Sequence, residues 1–300
     1  MRRRAEKQIK KLFENVQQIL GEGYTIRIES IPKNNGIVLT AFLIREEGNS
    51  IVPVVYIDSV LEQIDLGMIG IREAAEEVVK KFKEYYSEQY ERHLSGLTNE
   101  RILQNAEYRV INYEANQEQL AGMPHKRFLD LAAVYQIVLD EGEYGKVCIV
   151  ADWQLLHRFS VSAEELDGVA ERNTKEKGFC VQPMAEVLDE AAGIERQEKN
   201  NHNPWMLWVL SRNDKLYGAS VLLYDSYFES LAQELDSDLY ILPSSIHEVI
   251  ALPVIQESEG SVERLRQMVR EINVLEVPKE EVLGENIYRY SRKKHMLELI

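Results

Sequence analysis

The stretch FLDLAAVYQIVLDEGEYGKVCIVAD, residues 128–152, decides the fold class. Two strand-length apolar runs flank a short charged segment around Glu141-Gly142-Glu143. Runs joined so closely form an antiparallel hairpin, because parallel strands need a crossover of a dozen or more residues. A helix follows. VSAEELDGVAERNTKEKG opens on Ser162-Ala163-Glu164-Glu165, a capping box in which serine and glutamate satisfy each other's end of the helix.

The same order of strand, strand and helix recurs on both sides. Upstream it reads IVLTAFLI (37–44), IVPVVYI (51–57) and IREAAEEV (71–78). Downstream it reads DLYIL (238–242), HEVIAL (247–252) and VERLRQMV (262–269). The echo is topological, since the residues themselves do not repeat. Hairpins followed by helices predict an α+β fold, with antiparallel sheets each covered by helices. An α/β fold would need strictly alternating strands and helices.

Further elements fill in around these. An N-terminal helix runs to Leu20 and stops at Gly21 and Gly23. YTIRIESI (24–31) alternates with period two, and Asn35-Gly36 is the signal of a type I′ hairpin turn. Ile71, Ala74, Ala75, Val78, Val79 and Phe82 share one face of a long helix. EYRVINY (107–113) reads as a strand, SVLLYDSYFESLAQEL (220–235) as one helix and NIYRYSR (286–292) as the last strand. IERQEKNNHNP (194–204) is polar, uncapped and ended by proline, hence a linker. The expected organisation is an N-terminal meander with helices (1–96), a central α+β module (97–193) and a C-terminal α+β module (194–300). The last two are able to form one domain.

Composition narrows the function classes. The formal charge of −15 repels phosphate backbones, so general nucleic-acid binding and anionic-membrane binding are not expected. No apolar segment follows Arg2–Arg4 as a secretory signal would require, and no run of eighteen apolar residues exists. Cys148 and Cys180 cannot make a disulfide framework and read as reduced residues of a cytoplasmic protein.

The residues that invite a chemical reading lie in DSDLYILPSSIHEVIAL (236–252), where Ser244, Ser245, His247 and Glu248 crowd a proline turn. A serine nucleophile needs a base within hydrogen-bond reach, and the base needs an orienting acid. On a strand, Ser245 and His247 share a face but stand about 6–7 Å apart at ~3.3 Å per residue. Glu248 then points to the opposite face. The serines lack the glycine neighbours of a nucleophile elbow. A triad would therefore need a distant acid such as Asp152 or Asp225. A zinc-protease helix is excluded because the second histidine position is Ala251. No glycine-rich phosphate loop and no ligand-spaced histidines occur, so neither a cofactor nor a metal is expected.

The chain resembles an uncharacterised bacterial family, the domain of unknown function 5688, found mostly in gut Clostridia. The resemblance rests on NNGIVLTAFLI…IVPVVYIDSVLEQIDLG, on LDLAAVYQIVLDE…VCIVADWQLLHRFSVSAEELDGVAERNT, and on YGASVLLYDSYFESLAQELDSDLYILPSSIHEVIALP with NIYRYSR. LPSSIHEVI is its most specific element. The order of elements in the last two modules is also similar to the domain of unknown function 1444 family. The resemblance implies a bacterial cytosolic protein and carries no activity or site residues. Two functions follow as expectations. One is a non-enzymatic binding or adaptor protein for a protein or peptide partner. The other is a hydrolase built on Ser245, His247 and Glu248.

Overall fold

The computed structural model describes residues 2–48, 52–85, 96–142, 145–194, 207–243, 245–255 and 260–300. Ser244 and most of the expected linker lie outside them. Contacts divide the chain into two compact units, Met1–Leu97 and Thr98–Ile300. The fold is α+β, with antiparallel sheets covered by helices.

The first unit is a meander dressed with helices. Strands β1 (Tyr24–Pro32), β2 (Val38–Glu46) and β3 (Val54–Tyr56) lie in sequence order. Asn35 (φ 61°) and Gly36 (φ 66°) are both left-handed, as a type I′ turn requires, and Ile37 N–H donates to Asn34 O across it at 3.4 Å. Helices α1 (Arg2–Leu20) and α3 (Ile71–Tyr85), with the short α2 (Asp58–Asp65) between them in sequence, pack on one core. Phe42 from β2, Leu12 and Val16 from α1, and Ala74, Val78 and Phe82 from α3 meet there. Each fully buried large side chain contributes about 1.5–3 kcal/mol. The stripe read from the sequence of α3 is the face that makes this core.

The second unit holds two antiparallel sheets. In the first, β6 (Leu131–Gly142) is central, with β4 (Ala106–Asn112) on one side. On its other side β5 (His125–Phe128) and β7 (Gly145–Val150) follow one another. The second sheet has the order β13-β12-β10-β11-β9-β8. Its strands are β8 (Phe179–Pro183), β9 (Trp208–Arg212), β10 (Leu239–Leu242), β11 (Glu248–Pro253), β12 (Tyr288–Ser291) and β13 (Met296–Leu299). The helices are α4 (Asn99–Gln104), α5 (Gln117–Leu120), α6 (Trp153–Phe159), α7 (Ala163–Lys177), α8 (Met184–Ala192), α9 (Asp225–Glu234) and α10 (Ser261–Leu275).

Helix α7 begins at the expected capping box, both halves of which form. Its side chains then tie it to the first sheet. Thr174 Oγ1 accepts the Tyr108 N–H at 2.8 Å, and Asp167 accepts both the Tyr108 and Tyr135 hydroxyls at 2.5 and 2.9 Å. Burial and the Asp167 hydrogen bond push both phenols above their ordinary range.

Two sequence expectations need correction, and one strand was not read from the sequence. Residues 220–235 are not one helix: a 3-10 segment (Gly218–Leu223) precedes α9, and Tyr224 (φ −130°, ψ 88°) breaks the chain between them. Consecutive residues Gly218 to Leu222 are all buried, so this segment is packed all round and a one-sided helical stripe does not apply. Strand β12 is not the last, because the chain turns at His295 (φ 52°) and returns as β13. Strand β5 was not expected; His125, Lys126 and Arg127 are exposed on it and give no alternating apolar signal.

The two sheets are stitched by buried polar pairs. Arg212 on β9 is fully buried and donates to Glu107 on β4 at 2.7 Å. Asp130 accepts from the Tyr288 hydroxyl at 2.6 Å and the Asn286 amide at 2.8 Å. Glu107→Ala leaves the buried Arg212 with Asp214 alone, at 2.7 Å, so it is expected to lose about 2 kcal/mol of stability in urea unfolding, the worth of a hydrogen bond to a charged group. Asp238 gives a pH-dependent counterpart. Burial pushes its carboxyl up, but the Arg292 N–H and the Arg289 guanidinium outweigh this and hold it below the usual range. A depressed carboxylate stabilises above its unfolded pKa and loses that contribution as the pH falls through its folded value. Asp238→Asn is therefore expected to cost about 1 kcal/mol at neutral pH, a deficit that starts to shrink as the pH falls below about 4 and is gone below the folded value, in the same unfolding assay.

Candidate functional site

The turn between β10 and β11 carries Ser245 and His247, and four neighbours grip it. Ile246 N–H donates to Glu281 O at 2.9 Å, and Ile246 O accepts from Ala219 N–H at 3.2 Å. Ser245 bridges to Val282. The Ser211 hydroxyl donates to His247 O at 2.8 Å. The segment is thus pinned between the 3-10 segment, the end of β9 and the 281–282 loop.

The side chains continue the pattern. Ser245 Oγ accepts the His247 backbone N–H at 3.0 Å, an intra-turn bond of the kind serine makes in place of a ladder partner. His247 Nδ1 accepts the Tyr217 backbone N–H at 3.2 Å. An accepting Nδ1 puts the hydrogen of the neutral ring on Nε2. That nitrogen stands 3.6 Å from Glu281 Oε1. The ring lies on Tyr217, with centroids 5.3 Å apart and planes 26° from parallel.

Nδ1 is therefore held by a partner other than serine, and Nε2 faces Glu281 beyond hydrogen-bond length. Ser245 Oγ meets the backbone of His247 and not its ring. Glu248 is exposed at the start of β11, opposite Ser211, and takes no part in holding the imidazole. The carboxylate beside the imidazole is Glu281, thirty-four residues downstream of it. The distant acids are occupied elsewhere: Asp152 caps α6 through the Leu155 N–H at 2.7 Å, and Asp225 accepts the Leu297 N–H.

The structure adds residues that the sequence did not single out. Tyr217 is left-handed (φ 54°, ψ 33°), an uncommon conformation for an aromatic residue. Arg109 on β4 lies over the Tyr217 ring, its guanidinium carbon 4.9 Å from the centroid. Burial pulls the Arg109 guanidinium below its ordinary value, while the fields of Tyr217, Cys148 and Glu281 act in the opposite direction. The one available signal was an arginine at the centre of EYRVINY, where the neighbours are strand formers.

A polar cleft of about 400 Å³ opens elsewhere on the unit, lined by Asn105, Glu107, Asp140, Glu141, Asn173 and Lys177 among others. Its lining is acidic on balance, with Lys177 bonding Glu141 at 2.9 Å and lying 3.9 Å from Glu107. Among the described residues, no group of three or more His, Cys, Asp or Glu is placed to hold a metal ion.

The Family of unknown function (DUF5688) matches residues 5–292. The chain belongs to that family. The match includes the whole of the 243–247 turn and each residue gathered around it. No curated protein and no solved structure matches the chain. The DUF5688 assignment names no activity, so the site has to be interpreted from its own geometry.

Gly218 sets how closely that geometry closes. A Cβ there would fall 2.4 Å from His247 O, 2.4 Å from Ser211 Oγ and 2.5 Å from Arg212 N. Two of these three atoms belong to backbone and cannot swing aside. Gly218→Ala is expected to cost about 1–3 kcal/mol as an overpacking change. It should also weaken the Ser211–His247 contact. Urea unfolding gives the first effect, and the imidazole chemical shifts of His247 give the second.

Proposed function

We propose that this DUF5688 chain is a non-enzymatic binding or adaptor protein of the bacterial cytoplasm, with its recognition face at Arg109, Tyr217, His247 and Glu281. One observation carries the reading: His247 Nδ1 accepts the Tyr217 N–H, Ser245 Oγ accepts the His247 backbone N–H, and among the described residues no hydrogen bond joins the serine to the imidazole. A nucleophile and base that must exchange a proton would need these same atoms free to meet. The histidine acts here as a brace that holds Tyr217 in place. The partly open His247 and Glu281 side chains, 25% and 38% exposed, leave the face reachable by a protein or peptide partner. Neither Cys148 nor Cys180 is in a disulfide, which supports a reducing compartment.

The competing hydrolase reading has a direct test. Purified wild type, Ser245→Ala and His247→Gln are assayed with ester, peptide and phosphate-ester reporters, with near-UV circular dichroism as the check on folding. The expected result is no turnover above buffer for any of the three. Ser245→Ala should lose about 1 kcal/mol of stability, because the His247 N–H loses its acceptor. Turnover present in wild type and abolished in both folded variants would reverse the assignment.

A further inference from the structure

Arg109 is a half-buried cation with no counter-ion among the described residues. Among the described residues no carboxylate comes within ion-pair distance of it, and its Nε is buried with no hydrogen-bond partner. Arginine cannot escape by releasing its proton at physiological pH, so the charge stays. An isolated buried charge is costly, and the Tyr217 ring face offsets only part of that cost.

A second orphan donor lies beside it. Arg109 stands opposite Val134, and Glu107 stands opposite Gln136. Cross-strand partners share a sheet face, so Arg109 and Gln136 are diagonal neighbours on one face of β4 and β6. Gln136 is buried, and its Nε2 also has no partner. Glu107, the acid between them on that face, is already bound by Arg212. Two unmet donors thus share this sheet face, and the permanently charged one lies over the strained and stacked Tyr217.

We propose that this face binds an oxyanion, a carboxylate or phosphate group of the ligand, on the Arg109 guanidinium with the Gln136 amide as second donor. The fork of an arginine matches both oxyanions in geometry. The ring of Tyr217 forms one wall, and His247 and Glu281 form the rim. The inference rests on the binding reading above and names the chemical class that the site takes.

The test uses the full chain in thermal melts and titration calorimetry, with sodium phosphate and sodium acetate compared against sodium chloride at equal ionic strength. Wild type is expected to show a saturable rise in melting temperature with at least one of the two anions. A response to phosphate alone assigns a phosphate group, and a response to acetate alone assigns a carboxylate. Affinity should fall at least tenfold in Arg109→Met, with Arg109→Lys between that variant and wild type. Without anion, Arg109→Met should melt no lower than wild type, because it removes an uncompensated charge. A brace would behave in the opposite way. No saturable response in folded wild type, an equal response in Arg109→Met, or collapse of the Arg109→Met fold would each overturn the inference. None of these outcomes depends on the reporter assays with Ser245→Ala, so the oxyanion inference and the binding reading fail separately.

Discussion

The ion pair between Glu107 and Arg212 is the contact around which the second unit is arranged. It joins β4 of one sheet to β9 of the other in a place where both side chains are out of water. Burial opposes the charge on Arg212, yet the hydrogen bonds and fields of Glu107 and Asp214 outweigh it and raise its pKa. Such a pair stabilises only if its geometry is held, since desolvating two ions costs several kcal/mol each. The surrounding packing provides that geometry. The neighbouring 3-10 segment runs fully buried beside it, and Gly218 touches the backbone of Arg212 itself. With the sheets fixed at this point, Arg109, two residues along β4 from Glu107, comes to lie over Tyr217.

The 243–247 turn shows how a chemical-looking sequence becomes a structural device. Serine and histidine are hydrogen-bonding residues, and a turn has backbone groups that no strand satisfies. Ser245, Ser211 and His247 bind those groups in succession, and none of these bonds joins Ser245 to the His247 ring. The charged group left over is Arg109, contributed by a strand more than a hundred residues earlier. Burying an arginine with no acid beside it lowers stability, and sites that bind ligands commonly carry such a cost.

Parts of this were legible in the sequence for definite reasons. The α3 stripe, the Ser162 capping box and the Asn35-Gly36 turn are local: each depends on residues within one or two turns of chain. They formed where their spacing said they would. The break at Tyr224 and the exposed strand β5 were not legible, because burial on all sides and pairing with β6 are imposed by distant residues. In the site, the turn itself was readable from Pro243 to Glu248. Its electrostatics were not, since Glu281 and Arg109 are far away in sequence from His247.

The sequence by itself determined the class of fold, because helix and strand periods, caps and hairpin turns are written in short windows. Alternation along a strand would set Glu248 apart from Ser245 and His247, but β11 begins only at Glu248 and the other two lie in the turn before it. Only the tertiary structure decided what those residues do instead. Hydrogen-bond partners are chosen by which backbone groups arrive nearby after two sheets close. Whether an arginine is paired depends on which carboxylates share its burial. Neither quantity exists until residues 100 or more positions apart are brought together, as Glu107 and Arg212 are.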